Sequence, residues 1–141
     1  MTEEKRRKLL YMAGEQEPFL VHNGIHFTDV DDGSATAVLH LQPVVMNPWG
    51  LPHGGVLFSM GDVACGVAAM TLRSESLVTI NASIDYMDGA SPEGDVTVVA
   101  KVERMGGKVC FCTAEYHDCH GKRIAMMRAA LYFTGHKLDL E

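Results

Sequence analysis

The sequence predicts an α+β fold in which a curved antiparallel sheet wraps around one long buried helix. Three observations carry that expectation. Val56, Leu57, Met60, Val63, Ala64, Val67 and Ala68 recur at helical spacing through a stretch almost free of charge, so the helix they build belongs inside the molecule. Behind it come about four strand-like segments, each closed by turn residues. A hairpin pattern precedes it, and a single antiparallel sheet is the economical cover for one apolar helix.

The elements follow in order. An extra N-terminal helix occupies residues 1–14: residues 2–13 are amphipathic and Gly14 reads as the C-terminal stop. Glu3 and Glu4 precede the run Lys5, Arg6, Arg7, Lys8, an order that complements the helix dipole and reads as a solvated face. Gln16 to Gly24 is a connector. Ile25–Val30, a turn at Asp32-Gly33 and Ala35–Gln42 make a hairpin, which Pro43 ends. Asn47 to Gly55 is turn-rich, and the central helix covers 54–72. In Leu77–Met87, Val78, Ile80, Ala82, Ile84 and Tyr86 alternate with Thr79, Asn81, Ser83 and Asp85 in a period of two. Turns at Pro92-Glu93-Gly94, Gly106-Gly107 and His120-Gly121 separate the last three strands, which end near Thr134. Without linker or repeat, residues 1–141 read as one domain, a length that supports a real core.

Charge and composition exclude several functions. Eighteen acidic against twelve basic residues give a net charge of −6, so the basic footprint of a nucleic-acid binder is missing. No run of about 18 consecutive apolar residues spans a bilayer, and MTEEKRRKLL lacks the apolar core of a signal peptide. The expectation is a cytoplasmic protein with no nucleic-acid or membrane partner. Cys65, Cys110, Cys112 and Cys119 form no disulfide framework. The tract Cys110-Phe111-Cys112…His117…Cys119-His120 matches no usual zinc spacing, so no metal is expected and reduced thiols suit the cytoplasm.

Asp62 is the sharpest anomaly, a carboxylate in the middle of an apolar helix, where it is costly unless paired or used. It shares a stripe of small and polar residues with Gly55, Ser59, Gly66 and Ala69, suited to close approach by another backbone or a thin ligand. The helix begins at His53-Gly54-Gly55. Free N–H groups and the positive helix end stabilise negative charge growing on an oxygen there, and glycines admit a substrate close to the backbone. Gly54 and Asp62 are eight residues apart, about 12 Å along a helix. They cannot meet at one carbonyl within one chain, so if both are catalytic the site is shared between subunits.

Asn47, His53-Gly54-Gly55 and Asp62 at these spacings resemble the signature of the phenylacetic-acid-degradation (PaaI-like) thioesterases of the hot-dog superfamily. The resemblance runs from about residue 25 to residue 135 and includes Val78 to Tyr86. It implies a hot-dog homodimer, often paired into a dimer of dimers, that hydrolyses acyl-CoA thioesters with no cofactor beyond the CoA of the substrate itself. Carried over by the resemblance, Asn47 and the Gly54 amide bind the thioester carbonyl, and His53 shapes the turn. Asp62 of the other chain serves as general base or nucleophile, and Thr79 helps to position the water. Asn81 departs from the aspartate common in relatives. For CoA, the candidates are Gly55, Arg73, Arg104, Gly106, Gly107 and Lys108, cations and turn amides suited to phosphates. The nine methionines suit an adaptable pocket, though they serve equally as core. Two rival readings are a non-catalytic acyl-CoA-binding module and a hot-dog enoyl-CoA hydratase or dehydratase.

Overall fold

A helix apolar on every side needs a covering surface, and the sheet supplies one made of small side chains. The computed structural model describes all 141 residues. In chain order the elements are α1 (Glu3–Glu15), α2 (Pro18–His22), β1 (Ile25–Asp31), β2 (Ser34–His40), a 3-10 turn at Pro43–Val45, α3 (Gly54–Leu72), β3 (Glu75–Tyr86), β4 (Asp95–Met105), β5 (Val109–His117) and β6 (Arg123–Lys137). One antiparallel six-stranded sheet, ordered β1-β2-β4-β5-β6-β3, curls around α3. Ala35 and Ala37 of β2, Ala100 of β4, Ala114 of β5 and Ala125 and Ala129 of β6 are all buried. Their short side chains let the helix sit close to the sheet, while Met60, Val67, Leu131 and Ile124 fill the space between. By length and composition α3 is apolar enough to cross a membrane, but here it is the largely buried core helix.

Three expectations are corrected. The first concerns α1, which Thr2 caps by accepting the Lys5 N–H at 3.1 Å. The helix runs through Gly14 to Glu15 and stops before Pro18, because that proline forces Glu17 into extended backbone and then opens the short helix α2. The connector therefore contains a turn of helix. Secondly, the basic run is a solvated face only in part, with Arg7 exposed and paired to Glu4 on the same helix. Lys5 is buried and its ammonium lies 3.2 Å from the Glu141 carboxylate; Arg6 bonds Asp29 of β1 at 2.6 Å.

The third correction is to β3. Its alternation is broken by a bulge between Thr79 and Asn81. Leu77 and Thr79 face the helix side, opposite buried Phe133 and Leu131, and after the bulge Ala82, Ile84 and Tyr86 take over that face. Val78 and Ile80 consequently stand exposed. β3 also begins at Glu75 and β6 runs on to Lys137, since the two pair along their whole length with Glu75 opposite Lys137. β3 is an edge strand with no partner on its outer side, whereas the other edge, β1, is backed by α1 and α2.

Candidate active site

The N-terminal end of α3 is built by local chemistry. His53 is its N-cap, and the imidazole Nδ1 accepts the Gly55 N–H at 2.9 Å. The loop before it is pinned by Asn47, whose Oδ1 accepts the N–H groups of Trp49 and Leu51, each at 3.0 Å. With its oxygen so occupied, Asn47 presents its Nδ2 donor. The Gly54 N–H, at the first helical position, has no acceptor within the chain. Asn47 and Gly54 line one cavity of about 360 Å³, together with Tyr86.

Tyr86 is a contributor that sequence reading passed over. Its hydroxyl donates to the Gly54 carbonyl at 2.6 Å, and burial holds the phenol above its ordinary pKa, so it stays a donor. A Cβ on Gly54 would lie 3.1 Å from that hydroxyl and 3.2 Å from the ring carbon bearing it, a tight contact, so a larger residue there would press on Tyr86 where β3 meets the helix end. The only signal in the sequence was position: Tyr86 is the last inward residue of β3.

Asp62 lies two turns further along α3 on its open flank and is half-buried rather than enclosed. The helix around it is buried, but the side facing the free edge of β3 is not covered by this chain. Thr79, exposed at the β3 bulge, donates its hydroxyl to Asp62 Oδ1 at 2.6 Å. This occupies one carboxylate oxygen and fixes the rotamer, leaving the other free. The small-residue stripe is open only in part. Gly55 is exposed and Ser59 half-buried, its hydroxyl turned to the Gly55 carbonyl at 2.9 Å. Gly66 and Ala69 are buried, Gly66 beneath Leu77. Asp62 and Thr79 line a second cavity, of about 380 Å³, separate from that of Asn47 and Gly54.

The remaining candidates gather at the far end of α3. Arg73 is its C-cap, and its guanidinium donates to the carbonyls of Gly107 at 2.8 Å and Gly106 at 2.9 Å while lying 4.4 Å from the centre of the Phe133 ring. It clamps the β4–β5 turn to the helix. Arg104 and Lys108 flank that turn with exposed side chains. The cysteine tract does not gather: Cys110 and Cys112 are buried with their sulfurs 3.7 Å apart, while Cys119 is exposed at the next turn. Burial, helped by Cys112, pushes the Cys110 thiol up to about 12, so it behaves as a small core side chain.

A sheet wrapped around a long helix, with a glycine pair at the helix start and a carboxylate two turns on, defines the hot-dog thioesterase class. Residues 50–125 match the family model of the Thioesterase superfamily, and the chain belongs to that superfamily. The structure of the Escherichia coli PaaI protein from the phenylacetic acid degradation operon superposes with a TM-score of 0.87 at 22% identity, covering 95% of this chain and 96% of that one. A Streptococcus pneumoniae protein, solved with coenzyme A as a "Hypothetical Thioesterase Protein", gives 0.74 at 20% identity over 80% of this chain and 90% of its own. These show the shared hot-dog fold. In sequence, a Saccharolobus solfataricus protein named "Putative esterase" is 26% identical over 112 residues, 79% of each chain. Together these findings support a hydrolase.

Proposed function

We propose that this protein hydrolyses acyl-CoA thioesters at a site shared by two copies of the chain. The observation that carries the reading is the split itself. A carbonyl-binding half, Asn47 and Gly54, and a water-activating half, Asp62 and Thr79, line different cavities on one side of α3, beside an edge strand with nothing on its outer side. A second copy pairing along β3 unites them. In the reaction the Asn47 amide and the Gly54 N–H polarise the thioester carbonyl, and Asp62 of the partner subunit takes a proton from water as its oxygen attacks. The oxyanion then collapses, the C–S bond breaks, and the thiolate leaves as CoA after receiving that proton. Thr79 holds the carboxylate and offers its oxygen to the water. The exposed Arg104 and Lys108 supply cations for the CoA phosphates.

We infer a register for that pairing from contacts within one chain. Thr79 touches Asp62 and Tyr86 touches Gly54, so bringing Gly54 to the partner's Asp62 sets Tyr86 beside the partner's Thr79. Matching outward residues with outward ones, Asn81 falls opposite Asp85 and Ser83 opposite its own copy, with the bulge at Ile80 taking up the extra residue. A Ser83→Cys variant is therefore expected to form a disulfide-linked dimer under mild oxidation; cross-linking from Val78→Cys instead would refute the register.

The test of the function is thiol release from a panel of aryl and aliphatic acyl-CoAs. Turnover of at least one substrate is expected, and an inert protein that still binds CoA esters would replace this reading with a binding module. Tyr86→Phe keeps the ring but loses the bond to Gly54. A neutral hydrogen bond is worth about 1 kcal/mol, so kcat falls by about 3- to 10-fold with KM nearly unchanged. An unaltered kcat would remove Tyr86 from the account.

A further inference from the structure

The cavity beside Asp62 has a chemistry of its own. Its polar lining residues are Asp62, Thr79, Ser76 and Glu17, of which Thr79 and Asp62 are hydrogen-bonded, and no lysine or arginine lines it. Val63, Val67 and Met70 of α3 form one apolar wall; Met12 and Ala13 of α1, with Leu138 of the C-terminal segment, form another. A volume of about 380 Å³ lies within the ordinary range for small-ligand sites.

The second wall is fastened from several directions. The Leu138 N–H donates to the Ser74 carbonyl at 3.0 Å, Lys5 reaches the Glu141 carboxylate at 3.2 Å, and Lys8 reaches Asp139 at 3.6 Å. Leu140 is buried beneath them. The buried Lys5, out of place in a solvated helix face, is explained as part of this fastening. α1 and the C-terminal segment are thus tied together along one side of a cavity that Asp62 also lines.

We propose that this cavity is the acyl subsite, that it takes neutral apolar acyl groups, and that Met12 and Leu138 set the largest group accepted. The proposal rests on the thioesterase reading and adds the substrate class to it. Without a cation the cavity offers nothing to the CoA phosphates, so the acyl end of the substrate enters it. Asp62 and Glu17 repel acyl groups that end in a carboxylate, such as succinyl. Met12 and Met70 are unbranched and polarisable, so the walls adapt to an aryl ring or a flexible chain, whereas a fixed bulky side chain would not.

The experiment measures kcat/KM over acyl-CoAs from acetyl to dodecanoyl, with phenylacetyl-CoA and succinyl-CoA included, for wild type, Met12→Trp and Leu138→Ala. Thermal denaturation first confirms that each variant folds. Filling the cavity with Met12→Trp is expected to lower kcat/KM at least about tenfold for the longest acyl groups that wild type accepts, the scale of discrimination by apolar pockets, while acetyl-CoA changes little. Leu138→Ala moves the preference to longer chains, and succinyl-CoA is poor throughout. A length profile identical in all three proteins overturns the subsite and leaves the thioesterase standing, as does a uniform loss at every length in folded variants. Wild type inert on the whole panel overturns both.

Discussion

Asp62→Asn is expected to lower thiol release by roughly a hundredfold or more, the size of a lost general base, with folding and assembly unchanged. Asparagine has nearly the same shape as aspartate and keeps an oxygen at the position that accepts the Thr79 hydroxyl at 2.6 Å, so the side chain stays where it is. What disappears is the capacity to take a proton from water. The site is half-exposed, so removing the charge leaves no buried group unsatisfied and the protein does not lose stability. KM for acyl-CoA changes little, because the proposed carbonyl-binding residues, Asn47 and Gly54, belong to the other half-site. The proposed sharing of the site between two chains gives a second readout. Mixed Asp62→Asn and Asn47→Ala chains, each nearly inactive alone, form heterodimers with one intact site and recover part of the activity. An Asp62→Asn enzyme within about threefold of wild type would sink the assignment, and no recovery on mixing would place both halves in one chain.

Gly61→Ala is expected to be the most damaging small substitution in α3. In an ordinary helix interior, alanine in place of glycine stabilises by up to about 1 kcal/mol. Here the added Cβ would lie 1.8 Å from the Tyr116 hydroxyl, 2.8 Å from its Cζ and 3.1 Å from the Met127 sulfur. Tyr116 cannot move aside easily, since it is fully buried and its hydroxyl donates to the Leu57 carbonyl at 2.7 Å. Overpacking of about 1–3 kcal/mol plus a hydrogen bond of about 1 kcal/mol gives a loss of about 2–4 kcal/mol. For a domain of this size that lowers Tm by roughly 10 °C. Removing the hydroxyl relieves the shortest contact, so the alanine costs less in a Tyr116→Phe background than in wild type, and the two substitutions are non-additive. A Tm at or above wild type for Gly61→Ala would show that the helix and sheet are less closely packed than these distances require.

Much of the fold was legible because it rests on local periodicity. The apolar repeat from Val56 and the polar residues before it located α3, and turn residues located β4, β5 and β6. The separation of Gly54 from Asp62 followed from helix geometry alone, and with it the inference that, if both are catalytic, the site is shared between two chains. The two candidate half-sites are arranged by contacts distant in sequence. Tyr86 reaches Gly54, and Thr79 reaches Asp62, only because β3 lies against that flank of α3 and carries a bulge that turns Thr79 and Tyr86 to one face. A strict alternation put Val78 and Ile80 on that face instead, since one extra residue inverts every side chain beyond it.

The sequence by itself determined the layer architecture, the single long helix and the residue types at its start and middle, because hydrophobic period and capping depend on neighbours a few positions away. Only the tertiary structure decided that Asp62 is half-open, that Lys5 is buried against Glu141, that Gly61 lies beneath Tyr116 and that α1 walls a cavity beside the carboxylate. Each of these depends on which surfaces meet when chain segments tens of residues apart pack together, and local pattern carries no record of that choice.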